Sequence, residues 1–348
     1  MKISALSHIL FALLIAIAPF GCAPQASRSS STQSQAAASA ASSPKTVKLL
    51  AIGNSFSGDA TAYLRDLVKA GDHTLVFGHA SIGGCPLDRH VRHAMAHEKD
   101  PKDPEGMPYT SGGEKVSLKQ LLLSQDWEYV TIQQASIKSF NIETYRPYAQ
   151  QLADYVHQYA PHARVVFHET WAYRADQPMF KSGKVTRQQM YDRLHEAYGT
   201  IAEEIDAAGV IPVGTAYENA LNDPRWVFKV PENVDPSAFT YPDVPPQANS
   251  LHVGYRWPAP TTVPSTQPAK LAYDGNHSSP LGRYLGACTW YEFFFGDVRG
   301  NRALPNGVTR EQAVVLQDIA HNTVQQSAKP RGGLARAAAV TGGSPAAR

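Results

Sequence analysis

Residues 49–59 read LLAIGNSFSGD, and this stretch predicts the fold. The apolar run at its start is typical of a buried strand, Gly53 permits a sharp turn, and a helical pattern begins at Asp59. The hydroxyl of Ser55 is therefore expected to emerge where a strand gives way to a helix. In open α/β sheets, catalytic groups collect at this edge of the sheet.

The chain beyond this stretch alternates apolar runs with amphipathic helical patterns, without an internal repeat. This alternation predicts an α/β fold, a three-layer α/β/α sandwich with a mostly parallel central sheet covered on both faces. The predicted strands are Val47–Ile52, Thr74–Ala80, Tyr129–Gln133, Arg164–His168 and Val210–Val213. The predicted helices are Ala60–Ala70, Leu118–Leu123, Thr144–Tyr159, Arg187–Ala208, Pro280–Phe295 and Arg310–Thr323.

Two stretches interrupt this rhythm. His90–Gly113 is charged and rich in Gly and Pro, and Asn222–Lys270 holds many prolines with scattered aromatic residues. Both are predicted to be long loops over the catalytic edge of the sheet.

A second motif, DGNH at residues 274–277, begins 219 residues after Ser55. His277 can take the proton of a serine hydroxyl because an imidazole titrates near neutrality. Asp274 can turn back to accept the Nδ1 hydrogen of His277, which leaves Nε2 facing Ser55. Either motif alone would fit a helix cap or a surface turn. Together they predict a catalytic triad of Ser55, His277 and Asp274.

The two ends of the chain are predicted to lie outside the folded domain, which spans 46–327. Residues 1–21 combine one lysine with a short apolar run and are typical of a signal peptide. Cys22 follows Gly21 as in a lipoprotein cleavage site, so lipidation of Cys22 and simple cleavage both remain open. Residues 22–45 are rich in Ser, Ala and Gln and predict a flexible tether, and 328–348 predict a disordered tail.

We therefore expect an exported protein that is periplasmic, anchored to the outer membrane or extracellular. The formal net charge of +2 and the dispersed Lys and Arg residues argue against a nucleic-acid partner. Contact with a membrane is expected only through a lipid at Cys22. Cys85 and Cys288 could form a disulfide or remain two buried thiols.

These motifs resemble the SGNH (GDSL-like) hydrolase superfamily of serine esterases and, within it, the DUF4886-type proteins. Residues 53–57 resemble the block that carries the nucleophile, Gly83-Gly84 the second block, and residues 274–277 the last. The third block departs from the usual Gly-x-Asn-Asp, because residues 132–136 read IQQAS. The resemblance implies an oxyanion hole built from the backbone amides of Ser55 and Gly84.

Gln133 is predicted to supply the side-chain donor of this oxyanion hole in place of the usual asparagine. Because neighbouring residues of a strand point to opposite faces, only one of Gln133 and Gln134 can face the site.

Other polar and aromatic residues are weaker candidates. Trp171 and Tyr273 are predicted to contact substrate, although an aromatic residue after a strand often belongs to the core. His90, His93 and His97 could share a helix face, but they lack the His-Glu-x-x-His pattern of zinc hydrolases, and we predict neither a metal nor a cofactor.

The sequence thus predicts an exported bacterial serine esterase that acts on a small ester through an acyl-serine intermediate. O-acetyl groups on carbohydrate are the favoured substrate, by analogy with the family. A catalytically silent carbohydrate-binding or surface protein and a lipase or thioesterase are the alternatives. The oligomeric state is not predicted.

Overall fold

The computed structural model describes residues 43–258 and 270–327. Five parallel strands form a central sheet, and two antiparallel hairpins lie outside it. The sheet strands are β1 (Thr46–Gly53), β2 (Thr74–Ser81), β5 (Tyr129–Ile132), β6 (Arg164–His168) and β7 (Val210–Ile211); the hairpin strands are β3 (Tyr109–Ser111) with β4 (Glu114–Val116), and β8 (His252–Arg256) with β9 (Ala272–Ser278).

The order of strands in the sheet is β2, β1, β5, β6, β7, which places β1 inside the sheet with neighbours on both edges. Leu49, Leu50 and Ala51 of β1 are completely buried. A strand covered on both faces needs apolar side chains on both, and this accounts for the continuous apolar run in its sequence.

The helices cover the sheet in two groups. The first consists of α3 (Leu87–Lys99), α4 (Leu118–Leu123) and α5 (Tyr148–Tyr159), which pack against one another. In the second, α8 (Pro280–Phe295) contacts α1 (Ser55–Thr61), α2 (Leu64–Ala70), α7 (Val213–Asn222) and α9 (Arg310–Ser327). The remaining helix, α6 (Arg187–Glu204), packs against β6 and α7. The predicted α/β class and mostly parallel sheet are confirmed.

Several predicted elements need correction. The predicted helix Ala60–Ala70 is two helices, α1 and α2, because the chain tightens at Ala62, whose N–H bonds to the carbonyl of Asp59 three residues back. Ser55 is itself the first residue of α1, so this helix begins four residues before Asp59.

The prediction of a loop over His90–Gly113 is wrong for its first half, which belongs to α3. His90, His93 and His97 lie on the buried side of that helix. Three apolar residues of α3 are buried on that side as well, but the histidines count as polar in a hydropathy pattern and interrupt the apolar stripe.

The predicted loop Asn222–Lys270 contains α7's last residue, a single helical turn and β8. Strand β8 pairs with β9, the strand that carries Asp274 and His277. The DGNH motif is therefore held in a hairpin.

Cys85 and Cys288 are both buried free thiols. Within the described ranges, the helices are all too short or too polar to cross a membrane. The predicted signal peptide, the lipidation site at Cys22, nearly all of the tether and the tail lie outside the described residues.

Candidate active site

Ser55 lies where the sequence predicts it, between the carboxyl end of β1 and the first turn of α1. Asn54 is the cap of α1, and its Oδ1 accepts the N–H of Phe56 at 3.0 Å. Because Ser55 is the first helical residue, its own backbone N–H has no intrahelical acceptor. The hydroxyl and the amide of Ser55 are therefore both presented at the edge of the sheet.

The structure brings Asp274 and His277 to Ser55. Ser55 Oγ lies 3.0 Å from His277 Nε2, and His277 Nδ1 lies 3.0 Å from Asp274 Oδ2. Asp274 Oδ1 also accepts the backbone N–H of His277 at 3.0 Å. These contacts align a hydroxyl, an imidazole and a carboxylate in the order required for general-base activation of a serine.

The ionisation of Asp274 and His277 depends on the hydrogen bonds between them. Burial opposes ionisation of Asp274, but the hydrogen bonds from the His277 side chain and backbone outweigh it and lower the pKa of Asp274 to about 2. The hydrogen bond to Asp274 raises the pKa of His277, and partial burial opposes that rise. Asp274 therefore stabilises the imidazolium that forms when His277 takes a proton.

Gly84 lies in a loop that is tied to the nucleophile turn from both sides. Ile82 N–H donates to the carbonyl of Gly53 at 3.2 Å, and Asn54 Nδ2 donates to the carbonyl of Cys85 at 3.0 Å. Gly84 is exposed and has a φ of +61°, in the left-handed region that favours glycine. Its backbone amide stays the predicted partner of the Ser55 amide in an oxyanion hole.

Gln133 does not occupy the predicted position of an oxyanion donor. Its side chain is fully buried, its Nε2 donates to Asn54 Oδ1 at 2.9 Å, and its Oε1 lies 3.2 Å from His168 Nδ1. The prediction is wrong because the longer side chain turns back under the nucleophile turn and binds the cap residue. Gln134 is also buried and bonds to backbone groups of Leu87 and Ala135.

Asn54 is the residue that sequence reasoning missed. It caps α1, holds the Gly84 loop and accepts the hydrogen bond from Gln133. The signal was present, since Asn directly before the first helical residue is a preferred cap. Its contacts with Cys85 and Gln133 join distant parts of the chain, and no local sequence pattern predicts them.

Trp171 is a core residue, and the prediction that it contacts substrate is wrong. It is completely buried and stacks on Phe56 and Tyr217, with ring centroids 4.4 Å and 4.8 Å away. Its Nε1 donates to the carbonyl of Asn276 at 2.9 Å. Trp171 therefore supports the turn before His277 from behind.

Tyr273 is half-buried on β9, directly opposite Tyr255 of β8, with 4.9 Å between ring centroids. Its hydroxyl donates to Asp176, which also pairs with the buried Arg174 at 2.7 Å. Contact of Tyr273 with substrate stays a prediction, and its hydroxyl is already bound to Asp176.

A second serine and histidine lie beneath the nucleophile. Ser57 Oγ donates to the carbonyl of Asn54 at 2.8 Å and lies 2.9 Å from His79 Nε2. Burial lowers the pKa of His79 to about 4, so this imidazole is neutral at physiological pH. Ser57 is buried, which leaves Ser55 as the accessible hydroxyl.

The histidines of α3 do not converge on one point, and two of them bind separate partners. His90 Nδ1 lies 2.8 Å from Tyr109 Oη, and His93 Nδ1 donates to the carbonyl of Glu105 at 2.7 Å. In the part of the chain that the structure describes, the potential metal ligands that do converge are Glu292, Asp297 and His321.

That cluster joins α8 to α9. His321 Nδ1 lies 3.0 Å from Glu292 Oε1, whose other oxygen accepts the N–H of Val298 at 2.7 Å. Asp297 pairs with Arg299 at 2.6 Å. These protein partners already occupy the carboxylates, so the cluster is best described as an ion-pair network between helices.

The sequence profile of the family described as Domain of unknown function (DUF4886) matches residues 48–225. This match covers half of the chain and includes Ser55, Gly84 and Gln133. The chain belongs to the DUF4886 family. The predicted membership is confirmed, while the segment that carries Asp274 and His277 lies beyond the matched range.

A crystal structure of a DUF4886 family protein from Bacteroides uniformis superposes with a TM-score of 0.59 at 27% sequence identity, covering 80% of this chain and 95% of that one. This similarity extends past the profile match. Among curated proteins, no significant match to the chain exists.

Two looser structural similarities involve hydrolases. A protein from Slackia heliotrinireducens proposed to be an SGNH hydrolase aligns with a TM-score of 0.42 and 19% identity, over 71% of this chain and 98% of that one. A family 3 carbohydrate esterase from Clostridium thermocellum aligns with a TM-score of 0.37 and 10% identity, over 71% and 94%. These similarities do not show the chemistry of this DUF4886 protein, which depends on the residues of its own site.

Proposed function

We propose that this protein is a serine esterase. The observation that carries the proposal is the continuous contact from Ser55 Oγ to His277 Nε2 and from His277 Nδ1 to Asp274, each across 3.0 Å. A hydroxyl becomes a useful nucleophile when a positioned base takes its proton and a carboxylate orients that base.

In the proposed reaction, His277 Nε2 accepts the Ser55 proton while Oγ attacks the acyl carbon. The tetrahedral oxyanion is stabilised by the backbone amides of Ser55 and Gly84. The intermediate collapses, the imidazolium of His277 protonates the departing alcohol, and an acyl-serine remains. A water molecule then loses a proton to His277 and attacks the acyl carbon of the acyl-serine. The bond from that carbon to Ser55 Oγ breaks, His277 returns the proton to Oγ, and the carboxylic acid leaves.

The proposed substrate carries a small acyl group, with O-acetyl on carbohydrate favoured. Phe56, directly after Ser55, is buried and stacks against Trp171, and its ring centroid lies 5.8 Å from that of His277. We infer from this packing that the site accepts acetate rather than a long acyl chain. We also propose export of the enzyme, on the composition of residues 1–21.

Hydrolysis of p-nitrophenyl acetate, butyrate and octanoate by the full chain tests this function. We expect the acetate to be the best substrate and Ser55→Ala to lose at least three orders of magnitude in kcat/KM. The exposed Ser182 is a matched control, and Ser182→Ala should retain full activity.

A fluorophosphonate probe identifies the nucleophile independently. It should label Ser55, and labelling of Ser57 instead would move the nucleophile by two residues along the chain. A preference for octanoate would favour the lipase alternative. A wild type that binds acetylated oligosaccharide without turnover would favour the silent binding protein.

A further inference from the structure

Asp59 links the helix of Ser55 to the strand of His277. It lies on α1, four residues after Ser55, and its side chain is only 9% exposed. Its Oδ2 accepts the backbone N–H of Ser278 at 2.9 Å, although 219 residues separate the two. Its Oδ1 accepts Arg283 Nε of α8, also at 2.9 Å.

The hydrogen bond to Ser278 acts on His277 because the two residues are adjacent. The backbone N–H of His277 is held by Asp274, and the next N–H along the chain is held by Asp59. Asp274 belongs to the same strand as His277, whereas Asp59 belongs to the helix of the nucleophile. Asp59 therefore links the backbone beside the base directly to the helix that carries Ser55.

We propose that Asp59 is a positioning residue that keeps His277 Nε2 within hydrogen-bonding distance of Ser55 Oγ. The inference rests on the proposed esterase function for its kinetic consequence. The contact itself is independent of that function. A displacement of about 1 Å between a nucleophile and its base can cost about a hundredfold in rate, so a buried tether at this place matters for turnover.

The charge of Asp59 has a second effect, on the pKa of His277, which can be measured separately from its effect on position. Three charged groups act on His277: Asp274 from its own strand, Asp59 from α1 and Arg283 from α8. Both carboxylates raise the pKa of His277, and Arg283 lowers it. Burial raises the pKa of Asp59, against the hydrogen bond from Ser278 and the charge of Arg283.

Two substitutions separate position from charge. Asp59→Asn keeps an oxygen for the Ser278 N–H and loses the charge, so we expect most of the wild-type kcat and an acid limb of kcat/KM at lower pH. Asp59→Ala loses the hydrogen bond as well. We expect its kcat to fall about tenfold to a hundredfold with little change in KM.

Glu218→Gln is the matched control. It breaks a comparably buried ion pair, that of Glu218 with Arg187, between α6 and α7. It should lower stability without changing kcat or the pH profile. If Asp59→Ala behaves like Glu218→Gln, or if Asp59→Asn loses as much kcat as Asp59→Ala and keeps the wild-type acid limb, the proposal is overturned.

An NMR titration of the His277 imidazole tests the charge effect of Asp59 independently of the proposed function. If the wild type hydrolyses no ester, the function fails, but the titration still reports on Asp59. A lower pKa of His277 in folded Asp59→Asn supports the coupling. An unchanged pKa in that variant contradicts it, whether or not the protein is an esterase, and the conservative variant gives this answer even if Asp59→Ala does not fold.

Discussion

Gln133 Nε2 donates a hydrogen bond to Asn54 Oδ1 across 2.9 Å, so two residues 79 positions apart share the cap of the nucleophile helix. The carboxamide that was expected to face the substrate thus stabilises the turn that presents Ser55. This contact changes the effect expected from substitution of Gln133.

Gln133→Ala should lower both stability and turnover. The substitution leaves the buried Nδ1 of His168 without its partner and removes one of the two hydrogen bonds that Asn54 Oδ1 accepts, which costs about 1–3 kcal/mol of unfolding free energy. We expect kcat to fall because the cap of α1 loosens. Denaturant unfolding and ester hydrolysis measured together check this, since a true oxyanion donor would lose kcat with unchanged stability.

The pH profile should show an acid limb above the ordinary imidazole pKa of about 6.5. The hydrogen bond to Asp274 raises the pKa of His277, and the base works only when neutral, so kcat/KM falls as pH drops through that raised value. Asp274 titrates at about 2 and stays ionised throughout. A limb well below 6.5 would contradict the Asp274 contact.

The stability of the folded protein should depend on the same titration of His277. It should fall as pH rises, whereas kcat/KM rises. A raised pKa means that the folded protein binds the proton more tightly than the unfolded chain. The contribution of His277 is therefore fully present below its unfolded pKa and is lost as pH rises through the folded value. Comparison of wild type with His277→Gln across this range by thermal unfolding isolates that contribution.

Asp274→Asn should move the acid limb of kcat/KM to lower pH and lower kcat by roughly three to four orders of magnitude. The neutral amide neither stabilises the imidazolium nor selects the tautomer with Nε2 toward Ser55. A pH-rate profile of the variant measures both effects. An unshifted limb would show that another group sets the pKa of His277.

Trp171→Phe should affect turnover more than substrate binding. The smaller ring keeps the stacking with Phe56 and Tyr217 but loses the hydrogen bond to the Asn276 carbonyl, which is worth about 1 kcal/mol. We expect a lower kcat and an unchanged KM, because Asn276 precedes His277.

Trp290→Phe is the control for this substitution. Trp290 is equally buried, and its indole N–H has no partner among the described residues, so the change removes no hydrogen bond. Its kcat should match the wild type. An increase of KM in Trp171→Phe would restore the substrate-contact role that the buried position argues against.

Tyr255→Ala should separate carbohydrate esters from simple ones. The half-buried ring of Tyr255 lies beside Tyr273 on the hairpin that carries Asp274 and His277, and we expect it to stack on a sugar ring. We expect a higher KM for acetylated xylo-oligosaccharide and an unchanged KM for p-nitrophenyl acetate. Tyr255→Phe keeps the ring and should bind both as the wild type does; equal effects on both substrates would argue against a sugar site here.

Local patterns were enough to predict the sheet and the candidate triad. The apolar run of β1 has to be buried on both faces, and the strand-to-helix turn at Ser55 follows from a few neighbouring residues. The spacing of Asp274 and His277 is equally local, because a carboxylate three residues away can reach the imidazole. Such features depend on backbone geometry over one or two turns, which the order of residues alone determines.

The partners of the buried polar groups could not be predicted in this way. Gln133 binds Asn54 and Asp59 binds Ser278 because packing brings separate elements together and then requires each buried donor to find an acceptor. The stretch of His90, His93 and His97 was predicted to be a loop for the same reason, since those side chains are buried by contacts that only the assembled fold provides. Hydrophobic periodicity specifies which face of each helix or strand is buried. The hydrogen bonds beneath Ser55 depend instead on which residues from distant parts of the chain the fold brings next to one another.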